Sequence, residues 1–345
     1  MLTSFTSRAR SMLSASTSAE KEFLMPSFLA RSKALVARSW RIDAPLTGTT
    51  LLMLGLLGAF GLGLALDPRT VLGAPVWLKP AKFAASIAIY CATLVWVFSH
   101  LAEHQRTRKV VGWATAAAML IEMAIIGGQA ARGTTSHFNV STPLNTVLWA
   151  VMGSAIVAQT LTSVAVAVAL FRERFADRAL GWALRLGMVL TIAGAFLGGA
   201  MTQPSQAQLA DMRAGHARVS GAHTVGGSDG GTGLAVTGWS REHGDLRIAH
   251  FLGLHALQAL PLVAIALRRS RAAREQRVRL VFTAAGSYLG LVGILLAQAL
   301  RGQSLFAPDA ATLGMLLAWG TLTAASVWRS AGRRALPRAA AVSVC

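Results

Sequence analysis

Residues 46–66 read LTGTTLLMLGLLGAFGLGLAL, and no side chain in this stretch carries a charge. A helix rises about 1.5 Å per residue, so a stretch of this length can cross the roughly 30 Å hydrocarbon core of a bilayer. Similar apolar blocks recur along the chain, near residues 80–101, 110–131, 146–170, 180–201, 247–267, 279–300 and 309–328. The sequence therefore predicts an all-α, polytopic integral membrane protein whose core is a bundle of eight transmembrane helices.

The composition of the chain fits the same class of protein. Of its 345 residues, 54% are apolar and 14% are charged, whereas soluble domains carry about 25% charged residues. The two cysteines are Cys91, inside an apolar block, and Cys345, the last residue. Two thiols in these positions exclude a disulfide framework and a cysteine-rich metal motif.

The positions of the basic residues predict how the bundle is oriented. Lys and Arg concentrate in cytoplasmic loops, and here the second, fourth and sixth loops are basic. The first, third and seventh loops carry far less charge, chiefly Arg69, Arg132 and Arg301. Both termini are therefore predicted to be cytoplasmic, and the one long loop, residues 202–246, is predicted to lie outside. The basic loops contain Arg106, Arg108, Lys109, Arg172, Arg174, Arg178, Arg268, Arg269, Arg271, Arg274, Arg277 and Arg279.

The formal net charge of +19 raises the question of a nucleic-acid partner. Such binding needs basic residues clustered on a folded module, whereas these arginines lie in short loops between apolar blocks. We therefore expect the lipid bilayer as partner, with anionic lipid at the cytoplasmic face and no nucleic acid. Arg-rich loops without a cleavable signal favour a bacterial inner membrane.

Three regions follow from this pattern. Residues 1–45 form a basic cytoplasmic N-terminal segment, in which residues 28–40 are expected to fold as an amphipathic helix on the membrane surface. A targeting peptide, or a true start at Met25, is the alternative for this segment. Residues 46–328 form the transmembrane domain, including the outer loop 202–246, and residues 329–345 form a basic tail.

The sixth block contains polar residues that are costly in lipid, in the stretch RIAHFLGLHALQALP at 247–261. On a straight helix with 100° per residue, Arg247, His250, His255 and Gln258 share less than half of the circumference. That face is expected to point toward water or protein, and the opposite face toward lipid.

The second block carries a polar stripe at spacings of three, four or seven residues. Two interpretations stay open: the stripe forms hydrogen bonds with neighbouring helices, or it lines a cavity or pathway. Its residues are Lys79, Lys82, Ser86, Tyr90, Thr93, His100 and His104.

Glu122 is the one carboxylate well inside a predicted span, with Gln129 seven residues further on the same face. A buried lysine or arginine partner would give Glu122 a structural role. Without such a partner, Glu122 becomes a candidate proton carrier or metal ligand.

Six of the eight histidines are predicted to lie outside or in the outer half of the bundle. Nitrogen ligands of this kind suit zinc, iron or copper, and a single haem would need His250 or His255 on one side and His137 or a loop histidine on the other. The spacing of five between His250 and His255 differs from that of the HExxH zinc helix. The candidate metal ligands are His250, His255, His137, His223 and His243.

These residues predict a polar chamber at the outer face, and three functions are compatible with it. The first is a metal- or haem-dependent redox protein, in which Glu122 handles protons and Lys82 or Arg132 holds an anionic small-molecule substrate. The second is a proton-coupled transporter of a small molecule, with Glu122 as carrier and His100 and His104 as inner gate. The third is a membrane scaffold or sensor whose long loop recognises a partner. The sequence contains no known catalytic motif, and it leaves open whether the protein is an enzyme.

Overall fold

The computed structural model describes residues 28–230 and 233–332. Within these residues, the chain forms helices and two short antiparallel strand pairs, β1 (Thr70–Val71) with β2 (Ala74–Pro75) and β3 (Thr224–Val225) with β4 (Gly244–Asp245). The helices are α1 (Phe28–Ile42), α2 (Ala44–Leu66), α3 (Leu78–Phe98), α4 (Gln105–Ala131), α5 (Pro143–Arg172), α6 (Arg178–Met201), α7 (Gln206–Arg213), α8 (Leu246–Leu254), α9 (Ala256–Arg268), α10 (Arg274–Leu300) and α11 (Ala310–Gly332).

The described residues confirm the all-α polytopic bundle. Seven helices, α2 to α6, α10 and α11, are each long and apolar enough to cross a membrane, and α8 with α9 forms a bent pair that supplies the eighth span. With eight spans, both ends of the bundle lie on the same side, which we call the inner side. The chain is thus a multi-pass membrane protein.

The helices pack in sequence order around a core built mainly from α3 and α6. Helix α3 contacts α2 and α4, whereas α6 contacts α5, α8, α9 and α10. Leu94 and Phe98 of α3, Leu184 and Met188 of α6 and Leu257 of α9 are fully buried in one hydrophobic cluster. Helix α11 packs on α10 and leaves Leu313, Leu317 and Leu322 exposed, as lipid contact requires.

Polar side chains cap several of these helices and set where they begin. Asp43 accepts a hydrogen bond from the backbone N–H of Leu46 at the start of α2, and Asp177 does the same for Ala179 and Leu180 in α6. At the outer side, Thr142 caps α5 and Asp245 caps α8. Each cap satisfies an N–H group that has no partner inside its helix.

The sixth predicted span is not a straight helix. The axes of α8 and α9 differ by 49°, with the break at His255. Pro261 lies inside α9, lacks an N–H group and crowds the carbonyl four residues earlier, which favours a bend near this point. The angles calculated for a straight helix over residues 247–267 therefore do not hold, and His250 and His255 contact different neighbours.

Neighbouring helices satisfy the backbone groups at this break. The Thr191 hydroxyl accepts a hydrogen bond from Leu257 N at 3.0 Å and donates to the Leu254 carbonyl at 3.2 Å. The Tyr288 hydroxyl donates to the Leu252 carbonyl at 2.6 Å. A break in a membrane helix is tolerated when such groups replace the missing partners.

The outer loops interlock above the bundle. The long loop contains α7 and is less irregular than its composition predicts. Its backbone forms hydrogen bonds with the α4–α5 loop, from Val140 N to Arg218 O (3.0 Å) and from Ser220 N to Phe138 O (2.8 Å). The Ser304 hydroxyl, from the α10–α11 loop, donates to the Arg241 carbonyl at 2.6 Å. The loop between α6 and α8 is thereby held over the outer ends of the spans.

Helix α1 occupies the stretch for which the sequence predicts an amphipathic helix, and its Leu29 and Trp40 are exposed. Residues 1–27, which include Met25, and residues 333–345 of the tail lie outside the described residues. The division into segments 1–45, 46–328 and 329–345 stays a prediction.

Candidate functional site

Glu122 lies on α4 toward the outer side, and it is 4% exposed. Its Oε1 atom is 3.6 Å from Nε2 of His137, and its Oε2 atom is buried without a hydrogen-bond partner among the described residues. Within the same part of the chain, no lysine or arginine lies at ion-pair distance from this carboxyl group. The structural role that a close cationic partner would give Glu122 is therefore not supported.

His137 lies in the α4–α5 loop between aromatic rings. Its ring centroid is 5.5 Å from that of Phe83, 5.4 Å from that of Trp149 and 6.1 Å from that of Phe138. Burial lowers the pKa of His137 well below its ordinary value, and the nearby charge of Lys79 lowers it further. His137 is therefore neutral at pH 7 and carries one N–H. In one tautomer the nitrogen nearest Glu122 is a donor to the carboxylate, and in the other it is an acceptor for the proton of protonated Glu122.

The backbone at Phe138 shows that this loop is held in a demanding conformation. Phe138 has φ of 60°, in the left-handed region that costs a non-glycine residue about 1 kcal/mol or more. The Phe138 ring packs edge-on against Trp149 at 5.2 Å and against His223 at 4.8 Å. These contacts fix the position of His137 opposite Glu122.

Lys79, which the sequence places in the polar stripe of the second block and not among the predicted site residues, is an additional residue of this site. Its charge acts on Glu122 and on His137 from the outer end of α3, and its Nζ atom lies 6.0 Å from the centre of the Phe83 ring. The i, i+4 spacing of Lys79 and Phe83 places both on one face of α3. That spacing, next to an aromatic residue, is a sequence signal that could have indicated this position.

His223 and Asp229 form a pair in the long loop. Nδ1 of His223 is 2.8 Å from Oδ2 of Asp229, and the carboxylate also accepts the backbone N–H groups of His223 and Thr224. Burial lowers the pKa of His223. Burial alone would raise the pKa of Asp229, but the hydrogen bonds from His223 and Thr224 outweigh it and hold this pKa far below its ordinary range. Asp229 therefore orders the turn at residues 223–229 and orients His223.

The structure brings together only part of the predicted histidine set. His250 donates from Nδ1 to the Gly194 carbonyl at 2.8 Å, because a carbonyl can only accept, and it lies within electrostatic range of His137. His255 stacks on Phe251 with centroids 4.2 Å apart. His243 packs against Gly227 of the loop. Of the interactions between described residues, none joins His243 or His255 to Glu122.

The predicted metal or haem ligands do not form a preformed site. Among the described residues, no group of three or more His, Cys, Asp or Glu side chains is placed to hold a metal ion. One nitrogen of His223 and one of His250 already bind protein groups, and the His250 ring packs against Gly198. The ligand set of zinc, iron, copper or a single haem stays a prediction without support from this geometry.

Lys82 and Arg132 are engaged with protein groups. Lys82 Nζ donates to the Thr237 carbonyl at 2.7 Å, which anchors the long loop to α3. Arg132 Nη1 donates to Gln129 Oε1 at 2.5 Å and to Asn145 Oδ1 at 3.2 Å, which joins α4 to α5 below the His137 loop. Their role in holding an anionic substrate stays a prediction, and these contacts favour positioning roles.

The polar stripe of α3 forms hydrogen bonds with other helices, in line with the first interpretation given to it. Tyr90 accepts from Gln159 Nε2 of α5 at 2.8 Å, and Thr93 accepts from Gln258 Nε2 of α9 at 3.2 Å. At the inner end, His104 Nε2 lies 3.7 Å from Glu173 Oε2. The Gln258 Oε1 atom is buried without a partner among the described residues.

Acid is expected to destabilise the protein through the buried histidines. Unfolded histidine titrates near pH 6.5, so below that pH the unfolded chain binds protons that folded His137, whose pKa is lowered, does not bind. The free energy of unfolding then falls by up to about 1.4 kcal/mol per pH unit for each such histidine. Melting in detergent between neutral pH and about pH 5.5 measures this slope.

His137→Gln is expected to remove about one histidine's share of this slope, since glutamine does not titrate. His216→Gln, at an exposed loop histidine, serves as the matched control. An unchanged slope in the His137→Gln variant would contradict the buried, neutral state of His137.

We call Glu122, His137, Lys79, His223 and Asp229 the outer site. It combines a buried carboxyl group, a neutral imidazole and a lysine beneath the interlocked loops. Comparison of the chain with protein-family models, with curated proteins and with solved structures gave no match.

Proposed function

We propose that this protein is a proton-coupled membrane transporter in which Glu122 binds and releases the coupling proton. One observation carries the proposal: Glu122 is buried in a span, Oε2 has no partner among the described residues, and the titratable group at ion-pair distance is the neutral His137. A charged carboxylate is costly in such surroundings, whereas the protonated acid is not. Gain or loss of one proton therefore changes the energy of the outer site strongly.

Lys79 supplies a physical reason for coupling to a substrate. It faces Glu122 without forming a close ion pair, so its charge is available to a second anion at the outer site. An anionic substrate beside Lys79 would compete with the Glu122 carboxylate for this charge, and its binding would favour protonated Glu122. The substrate class that fits is a small organic anion, which would be carried together with a proton.

The bent span supplies an element that can move. Discontinuous helices at the middle of the membrane are common in secondary transporters, and α8 and α9 meet at 49° near Gln258, whose Oε1 atom lacks a partner among the described residues. The break lies between the outer site and the inner histidines, His100 and His104. In this mechanism the change of access occurs at this break, and the two histidines form the inner gate.

The test uses the full chain in proteoliposomes on a solid-supported membrane. Small dicarboxylates are applied under a pH gradient, with the corresponding diamides as neutral controls. A divalent anion carried with one proton moves net charge, whereas a monocarboxylate carried with one proton moves none. We expect carboxylates to produce a current whose sign and size follow the gradient, and amides to produce none. Carboxylate currents that do not change with the pH gradient, or the absence of current with all of these anions, would contradict the proposal.

A metal- or haem-dependent redox protein is the second candidate, because His223 and His250 both lie within electrostatic range of His137. Elemental analysis and an absorption spectrum of the purified protein test it. A stoichiometric metal or a haem absorption band that is lost in a His137→Ala/His250→Ala variant would replace the transport proposal. For either function we propose a bacterial inner membrane as the location, based on the basic loops.

A further inference from the structure

A cavity of about 340 Å³ lies at the inner end of the bundle, remote from the outer site. One wall is the junction between α1 and α2, and the other is the first two turns of α4. From α4, Gln105, Arg108, Lys109 and Trp113 line it at spacings that share one helix face. The junction contributes Ile42, Asp43, Ala44 and Pro45.

Arg108 has an unused donor in this cavity wall. Its Nη2 atom donates to the Ile42 carbonyl at 2.6 Å, which fixes the guanidinium against the helix junction. Its Nε atom is buried and has no acceptor among the described residues. A buried N–H without a partner costs free energy, so protein groups satisfy this guanidinium only in part.

The charges around the cavity are complementary to an anion. Lys109 is exposed beside Arg108, and α1 carries Arg31, Lys33, Arg38 and Arg41 without an acidic residue. Asp43 is the one acid in the lining; its Oδ1 atom already accepts the Leu46 N–H at 2.9 Å, and burial raises its pKa. Basic side chains, Arg108 and Lys109, therefore outnumber the single acid in the cavity wall.

The surroundings of the cavity are those of a lipid headgroup. Trp113 is 61% exposed beside the opening, and Val110, on the same helix, is 63% exposed. Tryptophan prefers the membrane–water interface, and apolar side chains below it can contact acyl chains. A free soluble anion has no acyl chain with which to form these apolar contacts.

We propose that this cavity binds the phosphate of an anionic lipid headgroup. The phosphate accepts from the Arg108 guanidinium and from Lys109, and Trp113 packs beside the lipid glycerol region. The site holds α1, α2 and α4 together from the inner leaflet. It does not depend on the transport proposal.

Native mass spectrometry of the full chain, titrated with phosphatidylglycerol and with phosphatidylcholine, tests the proposal. A basic residue near a membrane surface contributes about 1 kcal/mol to anionic-lipid binding, which is about fivefold in affinity. We expect phosphatidylglycerol to bind more tightly, with about fivefold weaker binding in Lys109→Gln and about 25-fold in Arg108→Gln/Lys109→Gln.

Arg106→Gln is the matched control, because Arg106 is exposed in the same turn and does not line the cavity. Its affinity for phosphatidylglycerol is expected to stay within about twofold of wild type. Lys109 is exposed, so its variant is expected to fold even if the Arg108 change loosens the helix junction. Equal affinity for the two lipids, or an equal loss in Arg106→Gln, would overturn the proposal. Displacement of phosphatidylglycerol by inorganic phosphate at similar concentration would identify a free-phosphate site instead and would also overturn it.

Discussion

Glu122→Gln is expected to abolish the pH-driven current of the reconstituted protein while it preserves exchange of the substrate across the membrane. Glutamine has the shape of a protonated glutamic acid and can keep the contact with His137, whose Nε2 atom lies 3.6 Å from Oε1 in the wild type. It cannot release a proton. The current should fall to background, whereas exchange between substrate pools at equal pH, which needs no net proton movement, should stay within a few-fold of wild type.

The matched control for this experiment is Glu242→Gln, at an exposed acid of the long outer loop. It makes the same chemical change on the same side of the protein and is expected to keep the current. The Glu122→Gln variant should also melt no lower than wild type, because it removes a buried group that lacks a close cation. A coupled current that survives in Glu122→Gln would show that Glu122 does not carry the proton. Loss of both current and exchange, with lowered melting, would indicate a structural role.

The positions of the spans were predictable because lipid imposes a simple requirement on sequence. A helix that crosses the bilayer must be apolar over about 20 residues, and this pattern located every span within a few residues of its observed ends. The break at His255 was less accessible to sequence reasoning. Pro261 signals a bend, but the contacts of Thr191 and Tyr288 across the bundle determine where the freed backbone groups are satisfied.

The outer site was predictable in part for a related reason. Glu122 is conspicuous as a carboxylate inside an apolar block, and topology alone places His137 and His223 at the same end of the bundle. Their partners depend on loop conformations that no local pattern encodes. The turn at Phe138 and the order that Asp229 gives to the long loop decide which groups meet Glu122. The straight-helix model likewise grouped His255 with His250, which the bend separates.

The other large effect is expected at the crossing of α6 and α8, where Gly194→Ala should destabilise the bundle strongly. A Cβ atom at Gly194 would lie 2.3 Å from the carbonyl carbon of Gly253 and 2.5 Å from its Cα atom. Both atoms belong to backbone, so no side-chain rotation relieves the overlap and the two helices must move apart. Overpacking of this kind costs about 3 kcal/mol at the upper end of its usual range, and thermal melting in detergent measures it.

Gly199→Ala is the control that separates this overlap from the change of residue type. Gly199 lies on the same helix, and a Cβ atom there meets nothing within 4 Å. Alanine in a helix is more stable than glycine by about 0.5–1 kcal/mol, so this variant should melt at or slightly above the wild-type temperature. Similar melting of the two variants would contradict the close crossing.

Because the Gly194 carbonyl accepts the hydrogen bond from His250, separation of α6 from α8 should also displace this histidine from beside the outer site. Gly194→Ala is therefore expected to weaken transport in the fraction of protein that still folds, whereas Gly199→Ala leaves it unchanged.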